Sequence, residues 1–279
     1  MNRLHPSPVG GCCDASPANT FFRSGDQMSR LGKLTFAQKR CIGSVGMLMQ
    51  KSGMAGPGAR IGIAVSGGVD SFVLLQTLAI RRAILPFPIE IMALHINPGF
   101  DPTSHAPLVD WCSQHGVAAH IETTDHGPRA HSEENRKNSA CFFCSMLRRK
   151  RLFDLCGEYN LTHLAFGHNA DDLMVTFFMN VVQNGRVDAM TISEDFFEGR
   201  LKVIRPALFL EKSFIKTAAR QWGLPIWSNP CPSAGATRRS EIHDWLELEM
   251  RRGKRIRQNI LGALKRYQSD KQGFDLTGL

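Results

Sequence analysis

The chain has 279 residues, 43% hydrophobic and 21% charged, the balance of a globular protein with room for one large core and a small addition. No apolar run approaches the ~20 residues of a membrane span, and the N-terminus lacks the apolar core of a signal peptide, so a cytoplasmic protein away from membranes is expected. The 34 Lys and Arg outnumber 25 Asp and Glu, a formal charge of +9 that points to a polyanionic partner, nucleic acid being the natural one.

Residues 1–33 mix Pro, Ser and Gly without periodicity and read as a disordered tail, with Met28 an alternative start. An N-terminal helical segment follows over 34–58, its helix spanning 35–52 with Thr35 as cap and ending in a Gly-rich break. Strands are expected at 61–65, 89–96, 118–122, 163–165 and 203–206. Helices are expected at 71–82, 106–115, around Leu147 to Cys156, at 171–183 and at 211–221, while 125–140 is polar and unpatterned. One long basic amphipathic helix is expected over 240–267. Strands alternating with helices predict an α/β fold with a doubly wound parallel sheet over 59–236, followed by a basic helical extension over 237–279. Such a sheet binds ligands at the C-terminal ends of its strands.

The most informative stretch lies at the first of those ends. An apolar strand runs into Ser66-Gly67-Gly68-Val69-Asp70-Ser71, where two glycines let successive backbone N–H groups converge on an anion at a helix start. The loop is neither a Walker sequence nor a dinucleotide fingerprint. His95 ends the second strand, where an adenine or ribose would lie. At another strand end, Gly167-His168-Asn169-Ala170-Asp171-Asp172 sets two carboxylates at a helix start, with Asp172 suited to Mg-nucleotide handling and Asp171 to capping.

Eight cysteines without a secretory signal imply reduced thiols. Cys141 and Cys144 have the spacing of a metal or redox pair, and Cys231 sits between prolines that keep it out of a helix. Three thiols with no evident fourth leave one coordination position open. Two centres fit: a 4Fe-4S cluster, or zinc completed by one of His115, His120, His126 or His131. Arg148, Arg149, Lys150 and Arg151 form one basic cluster; Arg251, Arg252, Lys254, Arg255, Arg257, Lys265 and Arg266 form another.

Ser66 to Ser71, the Cys141/Cys144 pair followed by Arg148-Arg149, Gly167 to Asp172, Val203-Ile204-Arg205-Pro206 and the late Cys231 resemble, in the same order, the tRNA 2-thiocytidine synthetase family of PP-loop ATP pyrophosphatases. The resemblance covers residues 35 to about 255. It implies an ATP pyrophosphatase-type fold and ATP-dependent replacement of the C2 oxygen of an anticodon-loop cytidine, position 32 in this family, by sulfur. ATP with Mg²⁺ would meet Ala64, Ser66, Gly67, Gly68, Asp70, Ser71, His95, Gly167 and Asp172. A 4Fe-4S cluster would sit on Cys141, Cys144 and Cys231, with zinc as the alternative. The catalytic set would be Asp70, Asp172 and those three cysteines, with tRNA on Arg148, Arg149, Arg251 and Arg252. A sulfur donor such as a cysteine desulfurase and a homodimer are further expectations. Two departures stand out: the family commonly carries Lys at Val69 and a second His at Asn169. Other readings are a uridine thiolase, a lysidine synthetase-like enzyme, or a zinc-stabilised RNA-binding protein.

Overall fold

The computed structural model describes residues 34–228, 230–233, 235, 237–253 and 255–278; the expected tail and the start at Met28 lie outside the described residues. Thr35 opens α1 (Phe36–Ser52) with a capping box, its Oγ1 accepting from Gln38 N while Gln38 Oε1 accepts from Thr35 N. Gly53, in the left-handed region at φ 57°, ends it. The chain then alternates β1 (Arg60–Ala64), α2 (Val69–Ile84), β2 (Glu90–Asn97), α3 (Ala106–His115) and β3 (Ala118–Thr123). It continues through α4 (His126–Ala130), α5 (Ala140–Glu158), β4 (His163–Ala165), α6 (Ala170–Asn184), β5 (Ser193–Phe196), β6 (Leu201–Ile204) and α7 (Lys212–Trp222). Two further helices follow, α8 (Arg238–Arg252) and α9 (Ile256–Gln272).

The sheet order is β3-β2-β1-β4-β6-β5. β1 lies between β2 and β4, parallel to both, with Ile63 opposite Ala93 on one side and Ala165 on the other. Strand order reverses there, so the loops leaving β1 and β4 emerge side by side at the switch point. Both faces are covered. Ile61, Ile63 and Ala93 join one core with Phe72, Leu75 and Leu78 of α2 and with residues of α1, α6 and α7. Leu94, Ile96, Leu164 and Val203 join the other with Leu152, Leu155 and Cys156 of α5. Burial on both faces is why these strands read as apolar runs rather than alternations.

Four expectations are corrected. The sheet is not wholly parallel, because β5 pairs antiparallel with β6 at its edge. The turn between them passes through Phe197 and Glu198 at φ 53° and 59°, and nothing in the polar sequence of β5 announced a strand. The last strand ends at Ile204 rather than Pro206, whose missing N–H cannot serve a ladder. The stretch 125–140 contains α4, seated where Gly127 packs against Phe100 and donates its N–H to Pro98 O. The single C-terminal helix is two helices, broken where Gly253 adopts an extended backbone at φ −153°, ψ 125°.

Leu155, fully buried on α5, ties the cysteine-bearing helix to the sheet, whereas Leu248 on α8 is 53% exposed. Leu155→Ala is expected to lower the unfolding free energy in urea by about 2–5 kcal/mol, and Leu248→Ala by less than about 0.5 kcal/mol. Equal losses would contradict the described core.

Candidate active site

β1 carries its pairing one residue beyond Ala64, as Val65 N donates to Leu94 O at 2.9 Å, and the chain then turns. Gly67 has φ +91°, and a Cβ there would lie 2.5 Å from Cε2 of Trp227, so the loop needs glycine for both conformation and space. The buried Ser71 hydroxyl accepts from Ser66 N at 3.1 Å and donates to Gly68 O at 2.9 Å. Ser71 therefore acts by bracing the loop, and the exposed Ser66 joins it, its Oγ 3.2 Å from Ser71 Oγ and accepting from Gly68 N at 3.4 Å.

The β4 loop meets it directly. A Cβ on Gly167 would stand 3.0 Å from the Asp70 carbonyl, which is how close the two backbones run. Asn169, 1% exposed, caps α6: its Oδ1 accepts from Asp171 N at 2.9 Å and Asp172 N at 3.3 Å, while its Nδ2 donates to Asp70 Oδ1 at 2.9 Å. An imidazole cannot accept two backbone bonds through one atom and donate through another on the same edge, so the carboxamide at this position has a role of its own. The capping expectation for Asp171 is corrected. Asp172 closes the capping box by accepting from Asn169 N at 3.0 Å. Asp171 instead holds Arg257 Nη2 at 2.8 Å through both oxygens and accepts from Lys212 N.

Cations from later helices complete the group. Lys212 Nζ donates to Asp70 Oδ2, and Arg239 Nη2 donates to Asp172 Oδ1 at 2.5 Å. Burial pushes the Asp70 carboxyl up from its ordinary range, with Lys212 and Asn169 opposing. Asn169, Asp172, Lys212, Thr237, Arg239 and Ser240 line a cavity of about 270 Å³ beside the loop.

His95 is corrected as a direct nucleotide contact. Its ring is fully buried behind the loop, Nδ1 donating to Val65 O at 2.7 Å. It holds the end of β1 in place. Burial drives its pKa down to about 4 against the opposing Val65 carbonyl. His168 is half-buried, and partial burial lowers its pKa to about 4 as well, with Asp172 opposing.

Trp227 went unnoticed in the sequence. Its N–H donates to Gly67 O at 3.1 Å, and its ring packs edge-on against Phe72 and His95, each at 5.5 Å between centroids. The segment that carries Cys231 is thereby pinned to the phosphate loop. Cys141 and Cys144 sit one turn apart at the start of α5, capped by Ser139. Cys141 Sγ lies 3.8 Å from Ser233 O, and Cys231 Sγ lies 3.9 Å from His131 Nε2. Burial raises the Cys144 thiol, and Cys231 and Cys141 raise it further, while Arg148 lowers it. The structure thus gathers the three cysteines. Arg148, one turn after Cys144 on the same helix face, is half-buried with its Nε enclosed, and Arg149 is exposed. Arg251 and Arg252 lie exposed at the end of α8, away from the loop in sequence, with Arg252 bonded to Glu249 at 2.8 Å.

A family model described as a PP-loop domain matches residues 44–242. The tRNA-cytidine(32) 2-sulfurtransferase of Geotalea uraniireducens is 32% identical over 214 residues, covering 76% of this chain and 84% of that protein. Its namesake in Bordetella petrii is 32% identical over 230 residues, covering 80% and 70%. The chain belongs to this family. Its fold matches the U34-tRNA thiolase NcsA of Methanococcus maripaludis, solved with its 4Fe-4S cluster, at TM-score 0.68 and 21% identity, covering 84% of this chain and 80% of that one. Cys141, Cys144 and Cys231 are free thiols, and the other two act electrostatically on Cys144; among the described residues no group of three or more His, Cys, Asp or Glu is arranged to hold a metal ion. No helix among the described residues is long and apolar enough to cross a membrane.

Because Gly67 has no room for a Cβ, Gly67→Ala is expected to weaken ATP binding at least tenfold in calorimetry while the protein still folds; unchanged affinity would contradict the loop geometry. A second expectation concerns pH. His95 and His168 bind fewer protons folded than unfolded between their ordinary value, about 6.5, and about 4, so stability falls as pH drops through that window. His95→Gln should flatten urea-derived stability against pH by up to about 1.4 kcal/mol per pH unit; an unchanged slope would contradict it.

Proposed function

We propose that this protein is an ATP-dependent tRNA sulfurtransferase that replaces the C2 oxygen of the anticodon-loop cytidine, position 32, with sulfur. The observation that carries this reading is the bond from Trp227 N to Gly67 O, which holds the chain just before Cys231 against the phosphate loop, while Cys231 and Cys141 lie close enough to Cys144 to act on its thiol. Activation and sulfur delivery at one carbon need that proximity.

In this reading Gly67 and Gly68 present backbone N–H groups to the phosphates, and Asp70 and Asp172 hold Mg²⁺ at them. The C2 oxygen attacks the α-phosphorus, the bond to the β-phosphate oxygen breaks and pyrophosphate leaves. A sulfur nucleophile then adds at C2, and AMP departs with the original oxygen, so the exchange of C=O for C=S is redox-neutral. When bound on Cys141, Cys144 and Cys231, the cluster supplies the sulfur-carrying centre. Zinc is the other metal these thiols suit, and metal analysis separates the two. The positive charge of half-buried Arg148 favours the thiolate form of Cys144. Exposed Arg149, with Lys150 and the aromatic faces of Phe142 and Phe153, lines a cleft of about 380 Å³ fit for a splayed anticodon-loop base and its phosphates. Arg251 and Arg252 would hold phosphates farther along the tRNA. A cysteine desulfurase as sulfur source, a homodimer and a reducing cytoplasm belong to the same reading; the free thiols support the last.

Anaerobically purified protein is expected to carry about four irons and four sulfides, with a broad absorbance near ~400 nm that Cys231→Ala abolishes. One zinc and no iron would sink the cluster reading. Asp70→Ala should leave the cluster in place and abolish thiolation of cytidine in tRNA; normal thiolation would refute the activating role.

A further inference from the structure

The phosphate loop contains no cation. From Ser66 to Ser71 its one charged residue is Asp70, a carboxylate facing the site where a polyanion must bind. The compensating charge comes from far along the chain. Lys212, first residue of α7, reaches Asp70, and Arg239, near the start of α8, reaches Asp172.

These pairs are poor candidates for structural cement. The Lys212 and Arg239 side chains are 32% and 42% exposed, and ion pairs so open contribute little to stability. Arg257 shows what a cementing arginine looks like here. It is 23% exposed, spans Asp171 and Glu211 and so ties α9 to the starts of α6 and α7. Lys212 and Arg239 each hold one carboxylate and both look onto the same cavity of about 270 Å³. That volume is below the range of whole drug-sized ligand sites and suits a fragment such as a diphosphate. Thr237 and Ser240 add hydroxyls to the wall. Arg239 is also steadied by Nη1 donating to Thr176 Oγ1 at 3.3 Å, which leaves the rest of a planar fork for a phosphate.

We propose that Lys212 and Arg239 are the polyphosphate-gripping pair of this site, held by Asp70 and Asp172 in the free protein and contacting the β- and γ-phosphates of ATP, then the departing pyrophosphate, when it is occupied. The proposal rests on the adenylating reading above and names its missing cations. Arg supplies directional hydrogen bonds and Lys a compact point charge, so the two divide orientation and neutralisation between them. Assigned to the β- and γ-phosphates alone, the pair predicts that AMP binds independently of both.

The test is calorimetric binding of Mg-ATP, inorganic pyrophosphate and AMP to the full chain and to Lys212→Gln and Arg239→Gln, each variant checked by thermal melting. Each variant is expected to weaken pyrophosphate and ATP about tenfold or more, as loss of a charge-assisted hydrogen bond would, and to leave AMP within about twofold. Unchanged or tighter ATP binding would overturn the proposal, because a structural pair competing for the carboxylates behaves that way. Equal losses for AMP and pyrophosphate would overturn it too, as general damage to the site. Should a glutamine variant fail to fold, Arg239→Lys and Lys212→Arg decide by the same ratio of pyrophosphate to AMP loss. Wild-type protein that binds neither ATP nor pyrophosphate would sink the adenylating reading itself, a result distinct from variants that match a binding-competent wild type.

Discussion

One buried carboxamide holds the nucleotide site together. Asn169 caps α6 with its oxygen and reaches Asp70 with its nitrogen at 2.9 Å, so the helices leaving β1 and β4 share one hydrogen-bonded corner. Parallel strands place those two loops side by side, but side by side is not yet a site. The Asn169 bridge ties the side chain of Asp70 to the backbone of Asp172 and so sets the spacing of the two carboxylates. Asn169 is fully packed, so losing either end of the bridge leaves a buried polar group unpaired, which is costly.

A second constraint joins activation to sulfur chemistry. Trp227 lies over Gly67, where the absence of a side chain makes room for the indole, and the chain runs on from it to Cys231. Helix α5 brings Cys141 and Cys144 from the opposite face of the sheet, packed there by Leu152, Leu155 and Cys156. The two halves of the chemistry therefore come from opposite sides of one sheet and meet at its C-terminal edge.

Local features were legible in the sequence, and long-range ones were not. The loop 66–71 could be read because its small residues, its strand and its helix are contiguous, and Thr35 could be read as a cap because Gln38 stands three residues on. Cys141, Cys144 and Cys231 were recognisable by spacing and by flanking prolines. Asp171 and Asp172 were both visible at a helix start, but which one closes the cap depends on Arg257 and Arg239, which arrive from helices far downstream. Trp227, Lys212 and Arg239 lay in unremarkable sequence, and their roles appear only when distant segments fold onto the loop. His95 shows the converse: a strand-end histidine can be expected beside a nucleotide, yet its ring is turned into the core. The basic run at 148–151 is divided by helix geometry, since the face that carries Cys144 also takes Arg148 inward.

The central claim is that ATP activates the base oxygen itself. It is tested most directly by following that oxygen, using tRNA labelled with heavy oxygen at C2 of the target cytidine and mass spectrometry of the nucleotide released. The account predicts labelled AMP in one-to-one proportion with 2-thiocytidine. Unlabelled AMP, or ADP in its place, alongside thiolated product would contradict it.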